Sequence, residues 1–93
     1  MIKMLQVLPE FEQKAVSNER GTPFIIKAYK DSDGALVVRV HDVPTQAVRE
    51  TYSATEDVVT EFEKSANGVS MYDHLCEQVL ADMKQPGNKL YEA

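Results

Sequence analysis

Two runs rich in β-formers, residues 24–30 and 36–41, flank the segment Asp31-Ser32-Asp33-Gly34, and this pattern constrains the chain more than any other. It reads as a β-hairpin. A three-residue loop, Ser32-Asp33-Gly34, puts Gly34 at the left-handed position of a bulged turn. That register pairs Lys30 with Leu36, Ala28 with Val38 and Ile26 with Val40. One face then carries Phe24, Ile26, Ala28, Leu36, Val38 and Val40, a coherent apolar surface. A two-residue Asp33-Gly34 turn would pair Ile26 with His41 and Ala28 with Arg39. It would mix the faces, so the first register is preferred.

The remaining elements are arranged around this hairpin. Pro9 suits a first helical position, and Glu10 and Glu12 suit a helix N-terminus. Leu8, Phe11 and Ala15 recur at helical spacing, which predicts a helix over about 9–18, stopped by Gly21 and Pro23. Residues 2–7 are open between a strand and a first helical turn. Asp42-Val43-Pro44-Thr45 breaks the second strand, and residues 46–52 alternate as a third strand with Val48 and Tyr52 inward.

Ser53-Ala54-Thr55-Glu56 reads as a capping box. It predicts a helix over about 54–65 that buries Ala54, Val58 and Phe62, with Val59 as a further core position. Asn67-Gly68 ends it. Ser70-Met71-Tyr72-Asp73 opens a helix over about 71–84, where Met71/Tyr72, Leu75/Cys76, Val79/Leu80 and Met83 form an apolar stripe. Residues 86–93 are expected as a mobile tail, with Leu90 and Tyr91 able to dock. The expected fold is α+β in two layers within one domain, 1–93: a three-stranded antiparallel sheet packed by helices about 9–18, 54–65 and 71–84.

Ninety-three residues bury about 60–65% of the unfolded chain's surface, so dimerisation is an expected way to bury more. The net charge of −5 is unevenly spread: residues 1–49 hold seven bases against six acids, and residues 50–93 hold three against nine. An acidic second half suits a basic partner, including a nucleic-acid-binding protein, and opposes direct binding of nucleic acid. The order α-β-β-β-α is also that of double-stranded RNA-binding domains, which open the helix after the third strand on basic residues. This chain has Ser53-Ala54-Thr55-Glu56-Asp57 there, so the likeness stops at topology. One cysteine, Cys76, excludes an internal disulfide, and a reducing, cytoplasmic setting is expected. The first nine residues lack the features of a signal peptide, and no run of 18 apolar residues marks a membrane span.

Two surfaces emerge as candidate partner-binding faces. On the outer face of the hairpin, Ile25, Lys27 and Tyr29 lie opposite His41, Arg39 and Val37, and Arg49 on the third strand would extend the stripe. Lys27 facing Arg39 costs stability unless something negative lies near, and exposed Ile25, Tyr29 and Val37 suggest a contact surface. The second face is acidic: Glu56, Asp57, Glu61 and Glu63 on one helix, Asp73 and Glu77 on the next, with nucleic-acid mimicry as its specific form.

Other constellations are weaker. Asp73, His74 and Cys76 lie on different faces of a helix, so no metal site is expected. Cys76 falls in the apolar stripe and is expected buried and inert. His41-Asp42 could be an acid–base pair, but no nucleophile motif accompanies it, and no phosphate-binding loop or dinucleotide fingerprint is present. The sequence therefore points to a small, acidic, non-enzymatic interaction or inhibitor protein with no cofactor. A homodimeric structural domain and a minimal enzyme using His41 and Asp42 are the alternatives.

Overall fold

The computed structural model describes residues 10–30, 33–65 and 67–93. Four strands, β1 (Glu10–Ser17), β2 (Pro23–Lys30), β3 (Leu36–Asp42) and β4 (Val48–Ala54), precede helices α1 (Glu56–Ser65), α2 (Met71–Asp82) and α3 (Lys89–Glu92). The strands form an antiparallel meander in the order β1-β2-β3-β4. The class is α+β, with four strands where three were expected. The question of residues 2–7, and Asp31 and Ser32 of the hairpin turn, lie outside the described residues.

The hairpin has the register argued from its faces: Ile26 pairs with Val40, Ala28 with Val38 and Lys30 with Leu36. Gly34 sits at φ +91°, the left-handed region that glycine enters without a Cβ penalty. The inner face carries Phe24, Ile26, Ala28, Val38 and Val40, all 0% exposed, and Leu36 at 4%. Met71, Leu75, Cys76, Val79 and Met83 pack on it from the α2 segment, in one continuous core. Ser70 caps α2, accepting from the Asp73 amide at 3.1 Å.

The predicted helix over 9–18 is instead edge strand β1, with Val16 opposite Phe24 and Lys14 opposite Ile26. The cause is tertiary. A strand as apolar as β2 leaves an unpaired backbone edge beside the core, and pairing there outweighs the helical preference of Glu, Gln, Lys and Ala. Glu12 and Lys14, exposed on this strand, protect an open edge instead.

Two boundaries move for one reason. Ala54 pairs with Leu36 and Ser53 with Val37, so β4 consumes the residues of the expected capping box. α1 then begins at Glu56, with the Thr55 carbonyl accepting from the Val59 amide at 2.9 Å. This start turns Val59 into the core at 7% exposure and leaves Val58, an expected core residue, 48% exposed. The register also shifts between Val40 and His41, which places Val48 opposite His41 and leaves it 49% exposed rather than inward. Tyr52 does face inward, opposite Val38, and its hydroxyl donates to the Asp82 carboxylate.

The segment expected as a tail contains α3. Leu90 is 1% exposed, and Asn88 caps the turn by accepting from the Leu90 amide at 2.9 Å. Asn18, 6% exposed, joins this segment to the β1–β2 turn. Its Nδ2 donates to the Leu90 carbonyl at 2.8 Å, and its Oδ1 accepts from the Arg20 and Thr22 amides, each at 2.9 Å. Arg20 adds an exposed ion pair to Glu92 at 2.9 Å. No helix among the described residues is long and apolar enough to cross a membrane.

Candidate functional site

Strand alternation determines what the sheet presents on the face that no described helix covers. Phe24, Ile26 and Ala28 point into the core, so Ile25, Lys27 and Tyr29 must point away from it. Their cross-strand partners are His41, Arg39 and Val37. All six are half-buried. Lys27 stands directly opposite Arg39, and the Arg39 guanidinium lies 5.0 Å from the centre of the Tyr29 ring. This cation–π contact draws the Arg39 charge diagonally away from Lys27 and gives the ring a second role as a flat platform. Among the described side chains, no carboxylate lies within ion-pair distance of Lys27 or Arg39. The stripe is therefore basic and aromatic, and its charge is not neutralised by those neighbours.

Arg49 does not extend this stripe. The shift near His41 turns it toward Asp42, where its Nε donates to Oδ2 at 2.7 Å. Asp42 also accepts from the Thr45 amide at 2.8 Å and from the Thr45 hydroxyl at 2.7 Å. The Thr45 amide and hydroxyl hold the Asp42 carboxyl below the usual aspartate range, against the opposing push of burial, and Arg49 adds to the lowering. His41 lies on the opposite face, with Nδ1 2.9 Å from the Gln46 carbonyl. Since a carbonyl only accepts, Nδ1 carries the proton there. Asp42 thus orients the β3–β4 turn rather than His41, and the two do not come together as an acid–base pair.

The acidic candidates are divided among several roles. Glu63 lies at the start of α2, its Oε2 accepting from the Met71 amide at 2.9 Å. The Glu56 side chain packs over the hairpin turn, where a Cβ on Gly34 would meet Glu56 Cγ at 2.9 Å. Asp57 and Glu61 flank Val58, Phe62 and Ser65 around a shallow depression. Asp73 and Glu77 are exposed on α2. The six carboxylates are therefore not one uniform row.

Asp73, His74 and Cys76 diverge. Cys76 is 2% exposed and burial pushes its thiol up, while the His74 ring stacks on Phe62 at 4.6 Å. Among the described residues, no group of three His, Cys, Asp or Glu side chains is placed to hold a metal ion.

Sequence reasoning missed the cavity of about 600 Å³ between the start of β2, the β3–β4 turn and α3. Its walls include Phe24, Val48, Arg49, Lys89 and Leu90. The one available signal was Leu90-Tyr91 behind the cap residue Asn88, an apolar pair too short to show periodicity. No family model, no curated protein and no solved structure matches this chain.

Proposed function

We propose that the protein is a small non-enzymatic interaction module whose open sheet face binds an acidic, partly apolar patch on another protein, acting as an accessory or inhibitor by covering that patch. One observation carries the reading. Lys27 and Arg39 face each other without a described carboxylate partner, on a surface that also presents Ile25, Tyr29 and Val37. Juxtaposed like charges cost stability, and an incoming carboxylate between them would remove that cost. Tyr29 supplies apolar area at low entropic cost, and Arg39 supplies a planar donor fork.

The charge balance favours a local patch over a polyanion. The chain carries −5 overall, which repels an extended nucleic acid. Screening over about 8–10 Å confines the interaction with a protein patch to the stripe itself. The same stripe disfavours face-to-face pairing of two copies, because a two-fold axis through it would set Lys27 and Arg39 of each copy against those of the other.

The test is an amide-shift titration of the 15N-labelled protein with a peptide alternating Asp or Glu with Phe. Light scattering at low and high salt is read alongside. The expected result is a salt-sensitive set of shifts on residues 25–29 and 37–41 in a monomeric protein, abolished by the folded K27E/R39E variant. A dimer that persists in high salt and protects this face, or shifts that survive K27E/R39E, would overturn the reading. Stronger binding of an oligothymidine than of the peptide would replace the protein partner with a single strand.

A further inference from the structure

The cavity behind the β3–β4 turn is independent of the sheet face, and its polar groups are unequally occupied. Its volume of about 600 Å³ falls within the usual range for small-molecule sites, about 300–1,000 Å³. Pro44 and Val48, both exposed, give it an apolar wall beside the buried Phe24 and Leu90. Four charged side chains stand on its walls: Asp42, Glu92, Arg49 and Lys89.

Both carboxylates are engaged within the chain. Asp42 accepts from Thr45 and Arg49. Glu92 accepts from Arg20 at 2.9 Å through Oε1 and from the Gly87 amide at 3.2 Å through Oε2. The cations retain most of their capacity. Arg49 uses its Nε alone, leaving the terminal nitrogens of its fork without a described partner, and Lys89 has one loose contact, to Glu50 at 3.5 Å. The ion pair to Asp42, itself held by Thr45, fixes the Arg49 stem, so less side-chain freedom is lost when the fork is used.

The geometry points to a binding site for a small amphipathic anion, with an apolar body on Pro44 and Val48 and a carboxylate or phosphate head on Arg49 and Lys89. A neutral apolar molecule would leave the cations unused, and a bare anion would leave Pro44 and Val48 in water. A cationic ligand would meet the unspent donors of Arg49 and Lys89.

The probe is phenyl phosphate, titrated into the 15N-labelled full chain, with benzyl alcohol for the body alone and inorganic phosphate for the head alone. Saturable shifts are expected on residues 44–49 and 89–93, with half-saturation at about 1 mM for so small a probe. Both part-molecules should bind at least about tenfold more weakly. Loss of one charge-assisted contact in K89Q, or of the planar fork in R49K, should weaken phenyl phosphate by about tenfold. Val48 is 49% exposed, so V48E places a repelling charge at the mouth of the cavity in a protein whose spectrum shows it folded. It should abolish saturation. Equal binding of benzyl alcohol, equal binding of inorganic phosphate, shifts centred on Lys27 and Arg39, or binding indifferent to V48E would each overturn the assignment.

Discussion

Replacing Asn18 with alanine removes one side chain that serves two segments far apart in sequence. The amide now donates to the Leu90 carbonyl at 2.8 Å in a buried position, and the oxygen accepts from the Arg20 and Thr22 amides at 2.9 Å. Alanine leaves all three backbone groups without that partner. The Leu90 carbonyl is the costly one, since an unsatisfied buried acceptor costs about 1–3 kcal/mol. The two amides are near enough to solvent to recover water, and each adds about 0.5 kcal/mol or less. The expected loss is therefore about 2–3 kcal/mol, a large share of the roughly 5–10 kcal/mol available to a chain this small. Urea unfolding followed by circular dichroism measures it. For a domain of this size the melting temperature should also fall by about 10–20 °C. The N18D variant separates the two halves of the role: a carboxylate still accepts from Arg20 and Thr22 but turns an oxygen toward the Leu90 carbonyl. It should keep the β1–β2 turn and lose hydrogen-exchange protection at the amides of 90–92. A cost below about 0.5 kcal/mol for N18A would refute the view that Asn18 pins α3 to the sheet.

Two further perturbations test other joints of the fold. Gly34→Ala should cost about 1–2 kcal/mol, because φ is +91° and the new Cβ would lie 2.9 Å from Glu56 Cγ; adding E56A should recover only the contact part, and a neutral G34A in urea unfolding would contradict the argument. The Asp42 carboxyl is held below its ordinary value, so its contribution is complete above about pH 3.9 and is lost as pH falls through the lower folded value. The gap between wild-type and D42N urea midpoints should therefore be constant from pH 7 to 5 and shrink below about pH 4; a gap unchanged down to pH 2.5 would show that the Thr45 and Arg49 contacts do not stabilise the ionised form.

Where local pattern and tertiary demand agreed, residues could be placed from sequence. The hairpin register followed from the requirement that Phe24, Ile26, Ala28, Leu36, Val38 and Val40 share a face, and the outer stripe of Ile25, Lys27, Tyr29, Val37, Arg39 and His41 followed from the same alternation. The α2 stripe was legible because a helix with one buried side repeats its apolar residues at every turn. β1 was not legible. Among the described side chains of this edge strand only Val16 is half-buried against the core, while Glu12 and Lys14 on the same face are exposed, so the period-two signal is weak. Arg49 was misplaced because the register shift between Val40 and His41 changes the faces of Val48 and Arg49 on its turn side, while Tyr52 keeps its inward face.

The sequence by itself determined the hairpin, its two faces, the α2 stripe and the basic, aromatic surface opposite the core, because all of these depend on side-chain alternation within one element. Only the tertiary structure decided that residues 10–17 pair with β2, that Arg49 turns to Asp42, and that Leu90 closes the end of the core above a cavity. Each of these is a contact between distant segments. Its free energy comes from a partner that no local window contains: an open strand edge, a buried carboxylate, or the amide of Asn18.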